Sequence, residues 1–206
     1  MTKLTVTTFV SVDGVMQGPG GPDEDRSDGF DLGGWLVPYA DEDMGRFVSE
    51  WFDSADGFLL GRKTYEIFAA HWPHVTDEND PVASMLNSLP KYVVSRTLDT
   101  VEWNNSTLIK ENVADKVAEL KSRPGRDLQV HGSGDLVQTL IAHNLVDEYR
   151  LFVYPVILGR GKRLFGSGSV PAALRLVDTR TTSTGVAVHT YQRAGEMEYG
   201  SFALDQ

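Results

Sequence analysis

The chain predicts an α/β fold: a mostly parallel sheet with helices on both faces and antiparallel strands added at the C-terminal end. Three observations carry that prediction. Short runs of β-branched and aromatic residues alternate with segments whose apolar residues recur at three- and four-residue spacing. Up to about residue 145 each strand-like run is mostly followed by a helical one, as parallel strands require, because the crossovers that join them lie on the sheet faces. From Tyr149 onward the strand-like runs follow one another with turn residues between them, which implies antiparallel pairing at one edge. A chain of 206 residues, 41% hydrophobic, suits one core, so residues 1–206 are read as a single domain.

Leu4 to Val12 is rich in Val, Thr and Phe and stops at Asp13-Gly14, a strand and its turn. Gly18 to Gly34 holds six Gly, two Pro and five acidic residues, a long irregular loop of the kind that often serves function. From Asp41, Met44, Phe47, Val48, Trp51, Phe52 and Ala55 form one apolar helix face, with Asp41, Glu42 and Asp43 favouring its N-terminus. Asp56-Gly57 is read as the end of that helix, and Phe58 to Leu60 as a buried strand leading through Gly61 into a helix over Thr64 to Ala70. Pro73 to Pro81 reads as polar loop. Tyr92 to Ser95 and Thr107 to Ile109 are strands, Val113, Val117 and Leu120 mark a helix, and Leu128 to His131 is a strand. Gly132-Ser133-Gly134 then opens a helix faced by Leu136, Val137, Leu140, Ile141 and Leu145. Tyr149 to Leu158, Leu174 to Val177 and Val186 to Tyr191 complete the strands.

Composition excludes several classes of function. A formal net charge of -10 with scattered Lys and Arg opposes nucleic acid and anionic membranes. The absence of Cys removes disulfides, thiolate metal sites and a cysteine nucleophile. His71 and His74 lack a third ligand, so no metal is expected. No signal-like or membrane-length apolar segment occurs, and the expected location is the cytoplasm.

The chemistry is expected at the strand-to-helix junctions. Gly132-Ser133-Gly134-Asp135-Leu136 lets backbone amides approach an anion at a helix N-terminus, although Val137 stands where the dinucleotide fingerprint has its third glycine. Gly61-Arg62-Lys63-Thr64 offers two cations and a hydroxyl at a second helix start, and Ser95-Arg96 repeats that pairing after the third strand. Ligands of such sheets bind beyond the carboxyl ends of the strands, so these junctions are expected to face one site.

Together with Val12-Asp13-Gly14, Leu60 to Glu66, Val94 to Arg96, Gly132 to Leu136 and Pro155 to Gly161, in that order, the chain resembles the bacterial reductases related to dihydrofolate reductase and to the C-terminal domain of the riboflavin-biosynthesis pyrimidine reductase, over about residues 4 to 192. The resemblance implies a three-layer dihydrofolate-reductase-like fold, NADPH as cofactor, hydride transfer to a small planar heterocycle, and a homodimer. It places Gly61, Arg62 and Thr64 on the cofactor phosphates, Ser95 and Arg96 at the 2′-phosphate, Gly132, Ser133, Gly134, Asp135 and Leu136 on the pyrophosphate, Val12 and Asp13 near the nicotinamide, and Gly159 in a closing turn. Among Asp41, Glu42, Asp43 and Glu50, Asp43 is the expected acid. Thr7 stands where the pyrimidine reductases carry a first-strand Lys. That departure motivates a second expectation, a nucleotide-binding or regulatory homodimer without catalysis.

Overall fold

The computed structural model describes residues 1–77, 79–166 and 169–202. One eight-stranded sheet runs through it, in the order β4-β3-β2-β5-β1-β6-β8-β7. Six strands are parallel to their neighbours: β1 (Lys3–Ser11), β2 (Ala55–Gly61), β3 (Lys91–Val94), β4 (Ser106–Ile109), β5 (Asp127–His131) and β6 (Glu148–Tyr154). β8 (Ala187–Arg193) adds antiparallel to β6, and β7 (Leu174–Thr181) adds antiparallel to β8. The fold is the dihydrofolate-reductase-like α/β fold expected from the sequence.

Helices cover both faces. Beneath α4 (Val113–Ser122) and α5 (Gly134–Ala142) the sheet presents Leu4, Val6, Leu59, Leu128 and Val130, which pack with Val117, Leu120, Leu136, Val137 and Leu140 in a wholly apolar layer. On the other face α1 (Glu42–Phe52), α2 (Arg62–His71) and α3 (Pro81–Ser88) bring Phe52, Tyr65 and Leu86 onto Phe58, Leu60 and Val93. Under α1 that face turns polar. Arg150 is buried between Asp127 and Glu148, at 2.7 Å and 2.9 Å, and Lys3 reaches Glu148 at 2.9 Å.

Three local readings are corrected. Asp56-Gly57 does not end α1; it lies inside β2 at a register shift, where the Asp56 carboxylate accepts from the Arg126 backbone N–H at 2.6 Å. Glycine suits position 57 by proximity, since a Cβ there would sit 3.2 Å from the Pro90 carbonyl, which would have to give by a few tenths of an ångström. The run after Pro81 is helical. Asp80 caps α3 by accepting from Val82 and Ala83 N–H at 2.9 Å, and the buried Lys91 ammonium closes its far end by donating to the Leu86 and Leu89 carbonyls at 2.7 Å and 2.9 Å. β7 also runs past Val177 to Thr181, as an edge strand that leaves Leu174, Leu176 and Val177 exposed.

Candidate active site

The carboxyl ends of β2 and β5 are adjacent, and their two turns are fastened to each other. Ser133 sits in the left-handed region at φ 60, next to Gly132 at φ 55. Its hydroxyl accepts from the Gly61 N–H at 2.9 Å and lies 2.9 Å from the Thr64 hydroxyl. Side chains are crowded here: a Cβ on Gly61 would meet the Ser133 side chain at 3.3 Å, and one on Gly134 would meet the Met16 sulfur at 3.3 Å, so either neighbour would have to give way. Two helix N-termini, those of α2 and α5, therefore open side by side, a placement that favours anions.

The neighbouring strand adds charge. Gly61 is in register with Val94, so Ser95 and Arg96 leave β3 at the strand end next to the one from which Arg62 opens α2. Arg62 is exposed and pairs loosely with Glu66 at 3.3 Å, and the exposed Arg96 guanidinium has no partner among the described residues. Ser95 is committed to its own turn, its hydroxyl accepting from Thr97 and Leu98 N–H. Asp135 is exposed at the start of α5, whereas Leu136 is buried against the apolar layer.

The glycine-rich loop folds back over this edge. Trp35 and Phe30 bury themselves, and the Trp35 indole donates to the Gln17 carbonyl at 2.8 Å. Asp25 accepts from Lys63 at 2.9 Å and from Lys162 at 2.8 Å, so one carboxylate joins the loop, α2 and the segment after β6. Burial opposes its ionisation, but Lys162, the Ser27 hydroxyl and Lys63 together hold the Asp25 carboxyl well below the usual range. Gly161, at φ 113, fits only without a side chain, because a Cβ would lie 2.8 Å from Phe30 and Val15.

At the end of β1, Asp13 accepts from the Ser11 hydroxyl at 2.6 Å, from Leu158 N–H at 3.1 Å and from Gly159 N–H at 2.9 Å, with Arg163 at 3.2 Å. The Ser11 bond leads the effects that lower its pKa to about 2, so the group is an ionised clamp on the Gly159 turn. Val12 is exposed beside it, its N–H donating to the Val156 carbonyl at 3.0 Å. Asp43 does not project into the sheet face. It pairs with Arg46 at 2.6 Å and accepts from Ser183 N–H at 2.9 Å, while Asp41 caps α1 and accepts from Ser183 and Thr184, and Glu50 holds Arg180 at 2.5 Å. The acid row of α1 thus fastens the β7–β8 turn. Inward, α1 presents Met44, whose sulfur accepts from the fully buried Tyr154 hydroxyl at 3.2 Å.

The reading of motifs therefore located the two glycine turns and the strand-end cations but missed Gln17, Asp25 and Lys162, whose roles come from the fold of an irregular loop. The assembled residues fit a dinucleotide: a cradle that added Cβ atoms would fill, two helix starts, and Arg62, Lys63, Arg96 and Lys162 as cations. Among the described residues no group of three or more His, Asp or Glu suits a metal ion, and no helix is long and apolar enough to cross a membrane.

A mostly parallel sheet with glycine turns gathered at the carboxyl ends of two interior strands and an antiparallel pair at one edge defines the class of dihydrofolate-reductase-like α/β proteins. Within it, this chain belongs to the RibD C-terminal domain family, which matches residues 2–188. The uncharacterized protein YyaP of Bacillus subtilis (strain 168) is 32% identical over 195 residues, spanning 94% of this chain and 96% of that protein. A putative riboflavin biosynthesis protein from Shewanella sp. PV-4 superposes with a TM-score of 0.65 at 21% identity, over 93% of this chain and 99% of that one. Dihydrofolate reductase from Enterococcus faecalis, complexed with NADP(H), superposes with a TM-score of 0.59 at 13% identity, over 93% of this chain and 96% of that one.

Proposed function

We propose that this protein is an NADPH-dependent oxidoreductase that transfers hydride to a small planar heterocycle of pyrimidine or pterin type. The observation that carries the reading is the joining of the Gly61–Thr64 and Gly132–Gly134 turns through Ser133, with Arg62 and the unpaired Arg96 at the same edge. The solved NADP(H) complex of a protein with this fold supports it. In this reading the backbone amides of the two turns and Thr64 hold the diphosphate, Arg62 and Arg96 take the 2′-phosphate, and Ser95 shapes the turn that aims Arg96. Val12 and the Asp13-clamped Gly159 turn border the reacting ring. A reduced nicotinamide supplies the hydride when bound; the protein's part is to orient both rings and exclude water with the Trp35-anchored loop.

Titration with NADPH and with NADH, followed by tryptophan quenching, tests the cofactor assignment. NADPH is expected to bind tighter, and Arg96→Ala to lose at least about tenfold in NADPH affinity with little change for NADH, a single charge-assisted contact being worth about 1.5–3 kcal/mol. Equal binding of the two cofactors, or an unchanged Arg96→Ala, would refute it. Binding without turnover across pterins and pyrimidines would favour the inactive nucleotide-binding reading, which the outward-facing Asp43 makes specific. The partner expected for the exposed Leu174, Leu176 and Val177 of edge strand β7 is a second copy, giving a homodimer whose mass light scattering would read.

A further inference from the structure

At the amino ends of the parallel strands, away from the glycine turns, the α5 face of the sheet holds a cavity of about 20 Å³. Ile141 of α5, Val146 before β6 and Pro171 of the segment leading into β7 wall it, Asn144 stands at its rim, and Tyr149 and Arg193 reach it from β6 and β8. A single water needs about 10–15 Å³, so the space admits one occupant of water or halide size and neither a phosphate nor a ring.

Strand alternation brings Arg193 here. Gln192 before it points to the polar face, where its amide donates to Glu148 at 3.0 Å, so Arg193 turns towards α5. Its Nε–H is buried without a hydrogen-bond partner, and the guanidinium pairs with no carboxylate among the described residues. Buried donors are rarely left so. The hydroxyls of Thr5, Thr7, Thr8 and Ser106 share the condition, but they are neutral and none of them lines this cavity. The neighbouring acids are committed: Asp147 holds Lys121 at 2.7 Å and the Leu4 N–H at 2.8 Å, and Glu148 lies on the opposite face with Arg150 and Lys3. No residue of the cavity wall is acidic. Tyr149 adds a second donor. It is 5% exposed, its ring set edge-on to Phe165 at 5.7 Å, and burial pushes its hydroxyl up to about 12 against the opposing charge of Arg193, so the proton stays on. A cation and a hydroxyl that face a small space without an acid favour a negative occupant over water.

We propose that this cavity binds a small monovalent anion of halide size, held by the Arg193 Nε–H and the Tyr149 hydroxyl. The anion joins the end of β8, the start of β6 and the segment that enters β7, and so fastens the antiparallel edge to the body of the sheet. The site is separate from the glycine turns and independent of the reductase reading.

The test is thermal unfolding of the whole protein in sodium chloride and in sodium gluconate at equal ionic strength, gluconate being too large for the cavity. The midpoint in chloride minus that in gluconate is expected to be about 2–4 °C larger in the wild type than in Arg193→Met, as for an anion present at a few times its dissociation constant in a chain of this length. Tyr149→Phe, which keeps the ring and removes one donor, is expected to fall between them. Crystals soaked in sodium bromide are expected to show an anomalous peak between Arg193 and Tyr149. The same midpoint difference in the wild type and both variants, or a cavity that holds only water in bromide-soaked crystals, would overturn the site. Should Arg193→Met fail to fold, Tyr149→Phe and the bromide peak decide on the same terms.

Discussion

The two faces of the sheet are built from the same strands and do opposite things. Along β1 and β5, residues alternate: Leu4, Val6, Leu128 and Val130 point to α4 and α5, while Lys3, Thr5, Thr7, Asp127, Gln129 and His131 point to the α1 side. The first face is sealed and apolar, and burial of such side chains contributes about 1.5–3 kcal/mol each. The second buries charges and hydroxyls, which stabilise only when every partner is present. The comparison teaches that apolar packing and a buried polar network are separated across the thickness of one sheet, with strand alternation as the separating device.

The largest expected effect breaks the polar face. Arg150→Met removes the cation between Asp127 and Glu148 and leaves two carboxylates buried, at a cost of about 3–5 kcal/mol by urea unfolding. Leu140→Ala on the apolar face costs about 2–5 kcal/mol through its cavity and is expected to leave NADPH affinity unchanged, since Leu140 lies away from the turns. A smaller effect sharpens the contrast through pH. Burial, reinforced by Arg150, lowers the His131 pKa from 6.5 to about 3. Below 6.5 the unfolded chain therefore takes up a proton that the folded one refuses, and stability falls as pH falls towards 3, by up to about 1.4 kcal/mol per pH unit. His131→Phe should flatten that slope; a wild type with no slope between these values would contradict the neutral, buried ring. The smallest effect is at Asp13→Asn. Asp13 is depressed to about 2, so its contribution is full above about 3.8 and is lost as pH falls through about 2. The variant is expected to lose about 1 kcal/mol at neutral pH and show a flatter acid limb.

The parallel strands and the glycine turns were legible because their signals are local: alternation, apolar runs and glycines between a strand and a helix. α3 was hidden because its start, Asp80-Pro81, follows a polar stretch that reads as loop, although Asp before Pro at a helix start was the available signal. Asp56-Gly57 misled because a dipeptide that usually turns the chain here answers to the nearby Pro90 carbonyl. The candidate site divides in the same way. Ser133 meets Thr64 through strand order alone, which spacing along the chain does not encode. Asp43 had the right residue type in the right helix, but the helix phase turns it to the β7–β8 turn and gives the inward place to Met44.

The contact of Asp25 with both Lys63 and Lys162 places an internal counter-ion between two lysines of different segments. The two ammonium groups already carry a counter-ion supplied by the chain itself, so on the proposed reading a cofactor phosphate at these lysines would have to compete with the Asp25 carboxylate and would not meet bare charge. Because the same carboxylate ties the glycine-rich loop to α2 and to the segment after β6, the position of the loop and the charge balance at these lysines are one property.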